Sequence, residues 1–110
     1  MKNKYLSIFS GVGVAVVTPF DENNNIDEQA IYTISDYLLE NKISYVVVQG
    51  TTGESSTLDE IEKTIVNKFF VKAFRNKIPL VLGLSSNNTQ ELCSQIKNID
   101  LDGFEAIMSV

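Results

Sequence analysis

The chain has 110 residues, 44% of them hydrophobic, which is enough for one globular domain with a true core. A formal net charge of -5 without any basic stripe excludes nucleic acid as a partner, and the lack of histidine excludes Ser-His-Asp, Cys-His and imidazole–zinc chemistry. Any catalysis is left to hydroxyls, carboxylates, lysines and the backbone. No apolar run approaches the ~20 residues of a membrane span. The start, Met1-Lys2-Asn3-Lys4-Tyr5, makes a poor signal peptide. The single cysteine, Cys93, has no partner for an internal disulfide, and together these features favour the cytoplasm.

In chain order, four apolar runs read as strands: Val12 to Val17, Tyr45 to Val48, Leu80 to Leu84 and Phe104 to Val110. They are nearly continuous in valine, leucine and isoleucine, the pattern of parallel strands covered on both faces. The glycines of Gly11-Val12-Gly13 open the first strand instead of following it, so they make no dinucleotide fingerprint. Thr18-Pro19 reads as the stop of that strand, with Asp21 to Asn25 as a polar loop behind it. A first helix runs from about Asp27 to Glu40, with Asp27 as N-cap, Ile31, Ile34 and Leu38 on one face, and Asn41 in the left-handed conformation that ends it.

The second helix is predicted to open on a capping box of Thr57 and Glu60 and to carry Ile61, Ile65 and Phe69 toward the core. The third begins near Asn88, with Glu91 completing a weaker box, and carries Leu92, Ile96 and Ile99. Cys93, beside that face, is expected in the core. The order is β-α-β-α-β-α-β with parallel strands, an α/β domain without linker or internal boundary. Two architectures fit this order: an open doubly wound sheet, or the first half of a (β/α)8 barrel, whose full circle takes ~250 residues.

Chemistry concentrates after the second strand. Val46-Val47-Val48 breaks into Gln49-Gly50-Thr51-Thr52-Gly53-Glu54-Ser55, a turn with two glycines and two threonines at what is the carboxyl end of a parallel strand, where ligands gather. Flexible glycines, hydroxyls and backbone N–H groups near a helix start suit an anion. With no lysine or arginine in the turn, a small carboxylate fits better than a polyphosphate. The competing reading is a tight turn whose hydroxyls only cap the following helix.

Val17-Thr18-Pro19-Phe20, Gly50-Thr51-Thr52-Gly53-Glu54-Ser55, the acidic Glu62 and Ile78-Pro79-Leu80-Val81-Leu82-Gly83 together resemble the N-terminal part of the dihydrodipicolinate synthase family. That group of pyruvate-dependent class I aldolases also contains N-acetylneuraminate lyase. The similarity runs from about Phe9 to Val110 and implies a TIM barrel working without metal or cofactor. A Schiff base forms between pyruvate and a lysine, and the resulting enamine attacks aspartate semialdehyde on the way to lysine and diaminopimelate. By position, Thr51 is implied as the middle of a Tyr-Thr-Tyr proton relay, and Thr52, with Gly53, as holder of the pyruvate carboxylate. Ser55, Ser56, Asn87 and Glu91 match the contacts of a lysine effector at a subunit interface, and a homo-tetramer or homo-dimer is implied. The Ser after Gly-Glu leans toward the synthase within the group.

The family's Schiff-base lysine follows the sixth strand, and its Pro-Tyr-Tyr turn falls beyond Val110. The lysines here, Lys2, Lys4, Lys42, Lys63, Lys68, Lys72, Lys77 and Lys97, all fall on the N-terminal tail, helices or helix-end loops. The expectation is therefore a fragment of a longer enzyme, inactive by itself. Another pyruvate aldolase of the group, and a small non-catalytic α/β module that binds a carboxylate or a protein partner, are the alternatives.

Overall fold

The computed structural model describes residues 7–110. Lys2, Lys4 and the rest of the N-terminal tail lie outside the described residues. Strands β1 (Gly13–Ala15), β2 (Tyr45–Val48), β3 (Leu80–Gly83) and β4 (Ala106–Met108) form one sheet in the order β1-β2-β3-β4, and every neighbouring pair is parallel. Helices α1 (Glu28–Glu40), α2 (Glu60–Phe74) and α3 (Thr89–Asn98) connect them. A doubly wound sheet reverses its strand order at a switch point, whereas a barrel adds each strand to the edge left by the last. The unreversed order therefore selects the second architecture: this is the first half of a (β/α)8 barrel.

The core lies between the sheet and the helices. Val46 and Val48 of β2 and Leu80 of β3 project into it against Ile31, Val66, Phe70 and Phe74, all at most 1% exposed. Register places Ala15, Val47, Val81 and Ala106 side by side on the opposite face of the sheet. The two central strands are buried on both faces, as their unbroken apolar runs require. The outer two are shorter than expected and only partly covered. Hydrogen bonds from Val16 N to Val47 O (3.1 Å) and from Leu84 N to Met108 O (3.0 Å) carry the ladder just past the formal strand ends.

Local chemistry explains the helix limits and corrects several expectations. Asp27 caps α1, accepting from Ala30 N at 2.9 Å. At the other end Asn41 stays at φ -87, and Lys42, at φ 58, takes the left-handed position instead. Lys42 N donates to Leu39 O and Ile43 N to Leu38 O, a Schellman closure, while the Asn41 side-chain amide covers the Tyr37 carbonyl at 2.8 Å. Asparagine serves better there as a donor than as the turn itself.

The start of α2 lies at Asp59, not Thr57. Asp59 accepts from Glu62 N at 2.7 Å, and the Glu62 carboxylate accepts from Asp59 N at 3.0 Å, a complete capping box. Thr57 sits in a short 3-10 turn, Ser55–Thr57, its hydroxyl on the Glu54 carbonyl. Leu58 is the cause: it is buried and needs extended backbone (φ -90, ψ 138) to point inward, which postpones the helix. The buried row of α2 is also Val66, Phe70 and Phe74 rather than Ile61, Ile65 and Phe69, and Ile61 is 73% exposed. Phe69 instead faces α1, edge-on to Tyr32 with ring centroids 6.3 Å apart. The Tyr32 hydroxyl donates to Glu28, and burial, then Glu28, holds its pKa above the usual phenol value.

Asn88 caps α3 as expected, accepting from Glu91 N at 3.1 Å, but Glu91 does not complete the box. Its carboxylate turns to Ser86 Oγ and Gln95 Nε2, each 3.4 Å away. Leu92, Ile96 and Ile99 are half-buried, whereas Cys93 is exposed and not a core residue, because the next position along a helix turns away from the face of Leu92. Among the described residues no helix is long and apolar enough to cross a membrane.

Placement of the α2 cap yields a direct test. Asp59→Ala should cost about 0.5–2 kcal/mol in urea unfolding, while Thr57→Ala, at an exposed site, should stay within about 0.5 kcal/mol of the parent. The reverse ranking would return the N-cap to Thr57.

Candidate active site

The site grows from the end of β2. Gln49 follows the strand at φ 59, a left-handed conformation that costs a residue with a Cβ roughly 1–2 kcal/mol. It turns the chain back over the carboxyl ends of the neighbouring strands. Gly53 N then donates to Gly50 O (3.1 Å) and Glu54 N to Thr51 O (3.0 Å), closing the turn.

Two glycines make this close packing feasible. A Cβ on Gly83, at the end of β3, would stand 2.4 Å from the Gln49 carbonyl oxygen and 2.9 Å from Gly50 N. One on Gly53 would press on Val16 O and the Gln49 backbone at 3.2–3.3 Å. The turn is thus pinned across β1, β2 and β3.

Thr18 contributes more than the stop after β1 that the sequence suggested. It is 3% exposed, and its hydroxyl donates to the Gly53 carbonyl at 2.7 Å, tying the far end of the turn to the first strand. Gln49, which sequence reasoning passed over, is 4% exposed; its Nε2 donates to Lys63 O at 2.9 Å and to Asn67 Oδ1. A polar residue in place of the next apolar one in a buried strand was the signal available for it.

Thr51 and Thr52 are exposed between these anchors, and Gly53 is buried. Neither threonine hydroxyl nor either threonine N–H bonds another described residue. They do not cap α2, a task that Asp59 performs, so the reading of the hydroxyls as mere caps fails. The helix start is also displaced from the turn by the 3-10 segment, so free turn N–H groups, not the N-terminus of α2, are what an anion would meet.

The four residues matched to an effector fall into two pairs. Ser55 and Glu91 line a groove of about 1090 Å³ between α2 and α3, together with Glu60, Lys63 and Gln49. Ser56 and Asn87 are exposed outside its lining. Lys63 pairs with Glu60 at 3.6 Å along the helix. The described lysines sit after α1 (Lys42), on α2 (Lys63, Lys68, Lys72), before β3 (Lys77) and on α3 (Lys97). None of these stands at the carboxyl end of a strand.

Parallel strands in unreversed order, with an open polar turn over their carboxyl ends, define the class: a (β/α)8-barrel protein. The chain belongs to the dihydrodipicolinate synthetase family, whose model it matches over residues 8–110. It is 41% identical to the 4-hydroxy-tetrahydrodipicolinate synthase of Flavobacterium psychrophilum over 105 residues, 96% of this chain and 36% of that protein. Among solved structures, a dihydrodipicolinate synthase of Bacillus anthracis superposes with a TM-score of 0.84 at 37% identity, covering 92% of this chain and 35% of that one. N-acetylneuraminate lyase from Mycoplasma synoviae superposes with a TM-score of 0.82 at 25% identity, covering 94% and 36%. The chain spans about a third of the length of the relatives it matches.

Anchoring by Thr18 predicts that Thr18→Val will destabilise the fold by about 1–3 kcal/mol, since the buried Gly53 carbonyl loses its partner. Thr18→Ser should recover most of the loss in the same urea titration. A greater loss in Thr18→Ser, which keeps the hydroxyl but drops the methyl, than in Thr18→Val would place the effect in packing of the methyl group rather than in the hydrogen bond.

Proposed function

We propose that this chain supplies the pyruvate-carboxylate cradle of a 4-hydroxy-tetrahydrodipicolinate synthase, a lyase of lysine and diaminopimelate biosynthesis. The observation that carries the reading is the turn itself: two exposed threonines with unengaged hydroxyls and N–H groups, held at both ends over the strand termini. In this reading Gly53, its own N–H taken by Gly50 O, backs the turn, and Thr52 holds the carboxylate of pyruvate through its hydroxyl and backbone N–H. Its ketone condenses with a lysine amine, releasing water, and loss of a methyl proton gives the enamine that attacks the aldehyde carbon of aspartate semialdehyde. Thr51 passes protons to and from these intermediates. The lysine comes from beyond the first four strands, in keeping with the family's sixth-strand position.

The preference for the synthase over the neuraminate lyase rests on the higher identity to the former and on Ser55 after Gly53-Glu54. A cytoplasmic enzyme, assembled as a homo-tetramer or homo-dimer and engaging neither nucleic acid nor membrane, completes the proposal.

This 110-residue chain should form no Schiff base by itself, because its described lysines stand away from the strand ends. Incubation with pyruvate and borohydride followed by mass measurement checks this, and a stoichiometric pyruvyl adduct would overturn it. In the complete enzyme, Thr51→Val should lower kcat by about 10²–10⁴-fold with little loss of stability. Thr52→Val should mainly raise the pyruvate KM, as expected when a ground-state contact is removed. Near-normal turnover by Thr51→Val would reduce Thr51 to a turn residue.

Ser55, Ser56, Asn87 and Glu91 are proposed to hold a lysine effector, with Glu91 taking its α-ammonium. Calorimetric titration of the complete enzyme with millimolar lysine should show binding that Glu91→Ala abolishes. Equal binding by the variant, or none by the parent, removes the assignment.

A further inference from the structure

We propose that Gln49 is a positioning residue, a latch between the Thr51 and Thr52 turn and α2 that sets where the bound carboxylate sits. The proposal rests on the pyruvate reading above. Gln49 occupies a left-handed position, φ 59, that glycine would take freely, so a side chain retained there calls for a reason. That side chain is directed at α2: its Nε2 donates to the Lys63 carbonyl at 2.9 Å and to Asn67 Oδ1. The Lys63 carbonyl only accepts, which fixes the Gln49 amide with its nitrogen toward the helix and obliges Asn67 to present oxygen.

The backbone of the same residue is gripped from two other directions. Its carbonyl lies against Gly83 of β3, and its N and Cα lie against Gly53 of the turn. Gln49 therefore joins three elements: a helix, a neighbouring strand and the far limb of the turn. Thr18, on the Gly53 carbonyl, secures the other end. Thr51 and Thr52 hang between the two fastenings with their donors free. A carboxylate held by one hydroxyl and one N–H depends on their direction, and misplacing such groups by about 1 Å costs on the order of 10²-fold in rate. Releasing the Gln49 latch frees the end of the turn nearest both threonines.

The test uses the complete enzyme carrying this segment, assayed well below its unfolding temperature, with Gln49→Leu, Asn67→Leu and Asn67→Asp. Gln49→Leu and Asn67→Leu should raise the pyruvate KM roughly tenfold and also lower kcat, since Thr51 hangs from the same turn, while the KM for aspartate semialdehyde changes little. Asn67→Asp keeps an acceptor for the Gln49 amide and should stay within about twofold of the parent. Should Gln49→Leu fail to fold, the Asn67 pair decides, because Asn67 is half-buried in the lining of the groove between α2 and α3 and is not one of the fully buried Val66, Phe70 and Phe74. A lowered Tm with an unchanged pyruvate KM in the leucine variants would overturn the proposal, as would Asn67→Asp behaving like Asn67→Leu. A parent enzyme that turns over no pyruvate would instead remove the underlying reading, and the latch with it.

Discussion

The end of β3 comes within contact distance of the backbone that leaves β2, and Gly83 is the reason it can. Any side chain at that position would place its first carbon 2.4 Å from the Gln49 carbonyl oxygen. Because the space is empty, the chain after β2 folds back directly over the sheet instead of looping away from it. The left-handed Gln49, the buried Gly53 and the Thr18 hydroxyl bond all presuppose that closeness. So does the exposure of Thr51 and Thr52, which are lifted outward because everything beneath them is packed. The shape of the turn is thus a consequence of sheet packing rather than of the helix that follows.

The division of labour around that turn separates groups that fasten from groups that remain available. Thr18 and Gln49 spend their polar atoms on protein partners and are buried; Thr51 and Thr52, of similar chemistry, spend theirs on none among the described residues. Buried polar groups must be paired, so the first two are constrained by the fold itself. The exposed pair is under no such obligation, and its donors stay available in a turn made of the same residue types.

Much of the fold was legible in the sequence, for reasons visible in particular residues. Continuous runs such as Val46 to Val48 and Leu80 to Leu82 announce parallel strands because both their faces are covered. The Asp27 and Asn88 caps and the Gly-Thr-Thr-Gly turn carry local signals that tertiary packing does not disturb. Helix phase was less legible. Two apolar rows lie one residue apart on α2, and only docking decides that Val66, Phe70 and Phe74 take the sheet while Phe69 takes Tyr32. Leu58 likewise moved the helix start by needing to point inward, a demand without a local signature. The anchors Thr18 and Gln49 were missed because their partners, Gly53, Lys63 and Asn67, are distant along the chain. Thr51 and Thr52 were singled out as candidates because the same turn also bears a family resemblance.

The strand order has a further consequence for how such a chain is made. Each strand pairs with the one before it across a single intervening helix, so no contact of the described sheet waits for a distant segment. A ribosome delivering the chain from its N-terminus supplies the elements in the order in which they are used, and domains of this kind can gain structure as they emerge. Until the next strand arrives, the growing sheet offers one fresh edge, which is also where a nascent neighbour would attach. The short β4, half-covered, is that edge here. The rate at which successive strands arrive is therefore a variable on which clean assembly and aggregation of a nascent barrel both depend.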